Sequence, residues 1–227
     1  MLAQVELFDL LEYEPAVVQP VRRLLEERCK EWPRPQTAFG KVVICSGHMI
    51  DKDRETPRFP PEKETAVQAE IAKQLAAWGI GAGDLAVCGG ARGADILFAE
   101  ECARRGARVR LLLAEDLDTF LAHSVRLEGS RWVERFHDLR ALAHVEIATQ
   151  PERLGEPPVG VSVFERNNAW IINTARVEAT DSAQSYALLV WDEGASQSGL
   201  GGAADFAARL SGWGGPIAVI NPTKLSL

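Results

Sequence analysis

The stretch Leu85-Ala86-Val87-Cys88-Gly89-Gly90-Ala91-Arg92-Gly93-Ala94-Asp95-Ile96-Leu97-Phe98-Ala99-Glu100 decides the fold. Four apolar residues suited to a strand buried on both faces run into a glycine-rich turn, and the turn runs into a helical pattern over 93 to 106. Strand, tight turn and helix in that order form the repeating unit of a parallel sheet, whose crevice lies outside the carboxyl ends of its strands. The first N–H groups of such a helix, with the positive end of its dipole, favour an anion. Arg92 adds a cation to that turn, and Asp95 falls in the first helical turn, where it also compensates the dipole.

The same unit recurs on both sides of this stretch. Short runs rich in Val, Ile and Leu predict strands at 41 to 46, 85 to 88, 108 to 113, 144 to 148, 187 to 191 and 216 to 220. Helical patterns near 62 to 78, 93 to 106, 116 to 122, 129 to 142, 164 to 176 and 202 to 211 lie between them. The expected fold class is α/β: a doubly wound, mainly parallel Rossmann-like sheet with helices on both faces. Two connections, 47 to 61 and 150 to 163, are long and rich in proline, as binding loops and lids often are. Ahead of the sheet, 16 to 32 carries Val17, Val21, Leu24 and Leu25 at helical spacing and is closed by Pro33 and Pro35. The reading is therefore an N-terminal helical appendage, 1 to 38, followed by a nucleotide-binding domain, 39 to 227.

The chain has 227 residues, 46% of them hydrophobic, enough for one large core between helical layers. Its 25 Lys and Arg against 32 Asp and Glu leave a net charge of -7, which works against a long basic track for nucleic acid. Cys29, Cys45, Cys88 and Cys102 show no metal-ligand spacing and read as thiols of a reducing compartment. No run of eighteen apolar residues exists, and Glu6, Asp9, Glu12 and Glu14 stand where a secretory signal would be basic. The expectation is a cytoplasmic protein without a membrane segment, metal or resident cofactor.

Candidate site residues follow each predicted strand. Ser46, Gly47 and His48 follow the first, where the glycine admits close approach to the backbone and the hydroxyl can donate. Gly89, Gly90, Ala91, Arg92, Gly93 and Asp95 form the turn after the second, and Ser124 and Arg126 come after the third strand and its short helix. Arg166 and Asn167 open a later helix, where a guanidinium fork suits a phosphate. Asp192, at the end of the fifth strand, is placed to accept ribose hydroxyls, and Gly201 and Gly202 begin a second glycine-rich helix start ahead of Asp205. Glycines that merely make tight turns and acids that merely cap helices would give the same letters.

Taken in order, Ser46-Gly47, GGARGAD at 89 to 95, FERNN at 164 to 168 and SGLGGAADFA at 198 to 207 resemble the SLOG superfamily. That group joins the lonely-guy phosphoribohydrolases to the DNA-processing protein A family, which carries a G-x-ARG-x-D turn, an RN pair and an SG-x-x-x-(T/A)-A turn. The pattern is similar above all to bacterial SLOG domains found beside tetratricopeptide or signalling modules. Gly47-His48 with Asp51, Arg58 to Pro61, Gly89 to Glu100 and Trp191 to Asp205 correspond to their GH-x-x-D, RFPP, GGA-x-G-x-D-I-L-F-A-E and W-D-x-x…GGTAD.

The resemblance covers residues 41 to 220 and implies a Rossmann-like fold that binds a nucleotide-like ligand, as a sensor within bacterial signalling, with Arg92 and Arg166 on phosphates. It also implies two alternatives. One is N-glycosidic hydrolysis of nucleoside monophosphates, a phosphoribohydrolase with Asp205 or Asp192 as the catalytic acid stabilising an oxocarbenium-like state. The lonely-guy enzymes carry PGG-x-GT-x-x-E, whereas this chain reads Gly-Gly-Ala-Ala-Asp, which places hydrolysis second. The other is a non-catalytic scaffold. A homo-oligomer and a neighbouring signalling or tetratricopeptide module are the expected partners.

Overall fold

The structure is a computed structural model and describes residues 39–179, 181–193 and 201–226. The expected helix at 16 to 32, and the Ser198-Gly199 part of the second glycine-rich turn, lie outside the described residues. In chain order, β1 (Val42–Gly47) leads through a 3-10 turn into α1 (Glu64–Ala77), then β2 (Leu85–Cys88), α2 (Ala94–Arg104) and β3 (Arg108–Leu113). There follow α3 (Leu117–Phe120) with a π-type turn, α4 (Trp132–Arg140), β4 (Val145–Thr149), α5 (Gln150–Leu154) and α6 (Val163–Glu178). The chain closes with β5 (Ser185–Val190), α7 (Ala203–Arg209) and β6 (Ile217–Ile220).

The described strands form one sheet in the order β4-β3-β2-β1-β5-β6, with every neighbouring pair parallel. Burial on both faces explains why the inner strands β1, β2 and β5 read as continuous apolar runs, whereas the edge strand β6 keeps Ile217 and Val219 exposed. Their side chains alternate between two cores, as the pleat requires. Val43 and Cys45 pack with Val67 and Ile71 of α1, Ile96 and Leu97 of α2 and Phe136 of α4. Val42 and Ile44 pack on the other side with Ile171 and Ile172 of α6, Phe206 of α7 and Trp213. The doubly wound α/β expectation is thus met, with a sheet that is parallel throughout its described pairs.

One connection differs from its reading. The segment after β4, expected as a single long loop, begins with the five-residue helix α5. Its prolines mark turns in general, but Pro151 stands at the helix start, where the missing N–H costs nothing and the fixed φ helps. Gly155, at φ 70°, ends that helix.

Strand order places the site. From β1 the sheet grows through β2 and β3 to β4, and the chain then crosses back to lay β5 on the opposite side of β1. The connections leave β1 and β5 in opposite directions, so a crevice opens at their carboxyl ends.

Candidate functional site

A cleft of about 280 Å³ opens at this reversal point, bordered by the turns after β1, β2 and β3 and by the starts of α6 and α7. Gly93, at φ +91°, lets two of these turns close on each other: a Cβ there would stand 2.6 Å from the Ile50 amide nitrogen and 2.9 Å from the His48 carbonyl. Only glycine combines that backbone angle with that approach. Gly201, at φ +84°, fills the same role where the second glycine-rich turn lies on Phe164 at the start of α6.

His48 sits just past β1, its backbone N–H donating to the Val190 carbonyl at 2.9 Å. Its Nε2 lies 2.9 Å from Asp192 Oδ1, joining the two strand ends that flank the reversal. Burial holds the imidazole below its ordinary 6.5, against the pull of the Asp192 hydrogen bond. At neutral pH His48 is therefore uncharged, and the same Nε2 also lies 3.3 Å from the Asp192 backbone N–H, so the ring tautomer sets which of the two contacts it makes as donor or acceptor.

Arg58 reaches the cleft on the long loop after β1, and the loop is built to present it. Asp51 Oδ2 accepts the backbone N–H groups of Arg58 and Phe59, each at 2.7 Å, while the Asp51 N–H donates to the Phe59 carbonyl at 2.9 Å. The Phe59 ring is fully buried in the core, which anchors that side of the loop. Asp192 and Asp51 both act electrostatically on Arg58.

The first glycine-rich turn is occupied by its own aspartate. Asp95 is 8% exposed, and its Oδ2 accepts the Ala91 N–H at 3.2 Å. Gly89 leaves the room for this, since a Cβ there would stand 2.8 Å from Asp95 Oδ2. Burial raises the Asp95 carboxyl to about 7, although N–H groups of Ala91, Gly89 and Gly90 work the other way. Its Oδ1 is buried with no hydrogen-bond partner among the described residues.

Arg92 and Arg166 do not border the described cleft. Arg92 is turned toward the π-type turn, its Nη1 3.4 Å from the His123 and Arg126 carbonyls, and its backbone N–H donates to the Ser124 carbonyl at 3.0 Å. Arg166 donates to the Leu154 and Gly155 carbonyls at 2.7 and 2.8 Å. It thereby caps the orphan carbonyls at the end of α5, where the helix dipole favours a cation. Both guanidiniums are thus engaged by backbone carbonyls in this structure. An arginine beside a glycine turn reads identically whether it faces a crevice or a buried carbonyl.

Of the remaining sequence candidates, Ser46, Gly47, His48, Gly89, Ala91, Asp95, Asn167, Gly201 and Gly202 border the cleft, as does Ser124. Gly90, Gly93 and Asp192 stand behind its described lining. Asn167 spans the floor, its Nδ2 donating to the Leu112 carbonyl at 2.8 Å and its Oδ1 accepting from Gln150 at 3.2 Å. Asp205 is committed elsewhere: it accepts from Asn168 at 2.8 Å and from Arg209 Nε at 2.9 Å, and it does not border the described cleft. Arg58, Asn168 and Phe120 also line it and were not among the expected site residues. The RFPP match carried a signal for Arg58. Asn168 stands in the FERNN match, and position alone betrays Phe120.

No group of three or more His, Cys, Asp or Glu able to hold a metal ion occurs among the described residues. No helix among them is long and apolar enough to cross a membrane.

No protein family matches the chain, and no curated protein does. Among solved structures it is similar to DNA processing protein A (DprA) from Streptococcus pneumoniae, with a TM-score of 0.43 and 14% identity. That match covers 80% of this chain and 50% of the other, so the chain spans half the length of the protein it matches.

Proposed function

We propose that the cleft binds a nucleotide-like ligand, as a site of recognition rather than of hydrolysis. The observation that carries this reading is the position of the cleft at the β1/β5 reversal, with Gly47, Gly89, Gly201 and Gly202 in its wall. Parallel α/β sheets bind their ligands at such points, and glycines let a flat or charged group lie close to the chain. Arg58 is the cation placed to meet a phosphate, replacing Arg92 and Arg166 in that role. The acids expected to serve hydrolysis support it poorly, because Asp205 is engaged by Asn168 and Arg209 and Asp192 by His48. A sensor that leaves its ligand intact suits this arrangement.

The test is a thermal-shift screen of the full chain against nucleotides, cyclic dinucleotides and ADP-ribose derivatives, repeated with Arg58→Ala. A ligand that binds only the folded state raises Tm, and the shift should shrink in the variant. If no compound moves Tm, the reading fails. Chromatography after overnight incubation separates recognition from hydrolysis, since free base would appear only with the latter.

A further inference from the structure

The first glycine-rich turn is poorly suited to a phosphate. Its helix start already faces a carboxyl group, since Asp95 Oδ2 holds the Ala91 N–H and lies close against Gly89. Above the pH of about 7 at which this buried carboxyl ionises, an incoming phosphate would meet a carboxylate at short range in a region of low dielectric, where like charges repel strongly. The polarity of this part of the cleft is reversed from what the turn suggests. Its open valence is an acceptor, Asp95 Oδ1, buried on a residue that borders the cleft and without a hydrogen-bond partner among the described residues.

A buried carboxyl oxygen left unbonded is costly, and a ligand that donates to it removes that cost. None of the donors around this oxygen, the nearby Gly89 and Gly90 N–H groups included, makes a hydrogen bond to it. Asn167, the neighbouring amide, gives its Nδ2 to the Leu112 carbonyl, and Ala91 gives its N–H to the other carboxyl oxygen. The thiols of Cys45 and Cys88 are kept protonated by burial, and Cys88 Sγ donates to the Asp95 backbone carbonyl at 3.6 Å. We infer that Asp95 Oδ1 accepts a hydrogen bond from a donor group of the ligand, a sugar hydroxyl or a base amine, so that the uncharged part of the ligand lies against the first glycine-rich turn and its anionic part lies away from it. This assignment rests on the nucleotide reading of the cleft and orients the ligand within it. It makes Asp95 a specificity residue that selects ligands by their donors.

The experiment is calorimetric titration at pH 8, where the Asp95 carboxyl is ionised, of the full chain, wild type, Asp95→Asn and Asp95→Ala, with three kinds of probe. These are the four ribonucleoside 5′-monophosphates, their 2′,3′-dideoxy counterparts, and purine riboside 5′-monophosphate, which is AMP without its exocyclic amine. Wild type should bind the donor-bearing probe about tenfold or more tightly than the probe lacking that donor, the range expected for a hydrogen bond to a charged group. Loss on removing the hydroxyls assigns the sugar, and loss on removing the amine assigns the base. In both variants the preference should fall to within about twofold; the asparagine variant keeps the side-chain shape should the alanine variant fold poorly. If wild type binds all three kinds alike, or if the preference survives in both variants, the Asp95 assignment is overturned and the nucleotide reading stands. If no monophosphate binds, the Asp95 assignment is overturned, and the nucleotide reading falls with it only if cyclic dinucleotides and ADP-ribose derivatives also fail to bind.

Discussion

Replacing Asp95 by Asn should stabilise the protein at alkaline pH and change the pH dependence of its stability. Burial lifts this carboxyl from its ordinary 3.8 to about 7 in the folded chain. Below 3.8 both states carry the proton and the group contributes nothing. Between 3.8 and 7 the unfolded chain ionises while the folded chain stays protonated, so stability falls as pH rises; above 7 the penalty is complete, about 4 kcal/mol from the separation of the two values. From pH 5 to pH 8 the same two values give a loss of about 2–3 kcal/mol. Asparagine keeps an oxygen for the Ala91 N–H but does not titrate, and its amide nitrogen, placed where Oδ1 has no partner, gives back about 1–3 kcal/mol. Urea unfolding of both proteins at pH 5, 6, 7 and 8 yields the difference in stability at each pH, and subtraction removes every other titrating group. The difference should move in favour of the variant by about 2–3 kcal/mol across that range. A difference constant to within about 0.5 kcal/mol, the scatter expected for an ordinary surface change, would refute the buried, partner-poor carboxyl.

Further expectations can be checked on the same protein. Arg166→Ala removes two hydrogen bonds from the end of α5 and should lower stability by about 1–3 kcal/mol in denaturant unfolding, with nucleotide affinity within about twofold of wild type. Gly93→Ala places a Cβ 2.6 Å from the Ile50 nitrogen at φ +91° and should cost about 2 kcal/mol or more, read as a fall in Tm; an unchanged Tm would show that the two turns do not close as described. His48, held below 6.5 by burial, must take up a proton as pH falls, so it removes stability on acidification below about 6.5; His48→Gln should flatten that limb of the stability profile. Asp51→Ala frees the N–H groups of Arg58 and Phe59 and should weaken binding of phosphate-bearing ligands as Arg58→Ala does, measured by titration.

Much of the architecture is legible in the letters. LAVC at 85 to 88 and RVRLLL at 108 to 113 match β2 and β3 residue for residue, because strands buried on both faces carry their burial in composition. The other strands fall within two residues of their expected ends, where fraying and capping blur any boundary. The helix α5 was missed because five residues are too few to show a period, and because Pro151 serves equally in a loop or at a helix start.

The chain by itself determined that there would be a buried parallel sheet with helices on both faces, and that chemistry would gather after its strands in the glycine-rich turns. These properties are local, since period, apolar run and turn residue are each settled within a few positions. Only the tertiary structure decided which groups face the cleft. Strand order brought His48 to Asp192 across 144 positions. The loop held by Asp51 brought Arg58 inward, and carbonyls of the π-type turn and of α5 drew Arg92 and Arg166 away. Asp95 took the place within its own turn that an anion would have filled. A side chain's direction depends on which partners packing brings within hydrogen-bond reach, and those partners lie far off in sequence, where no local pattern records them.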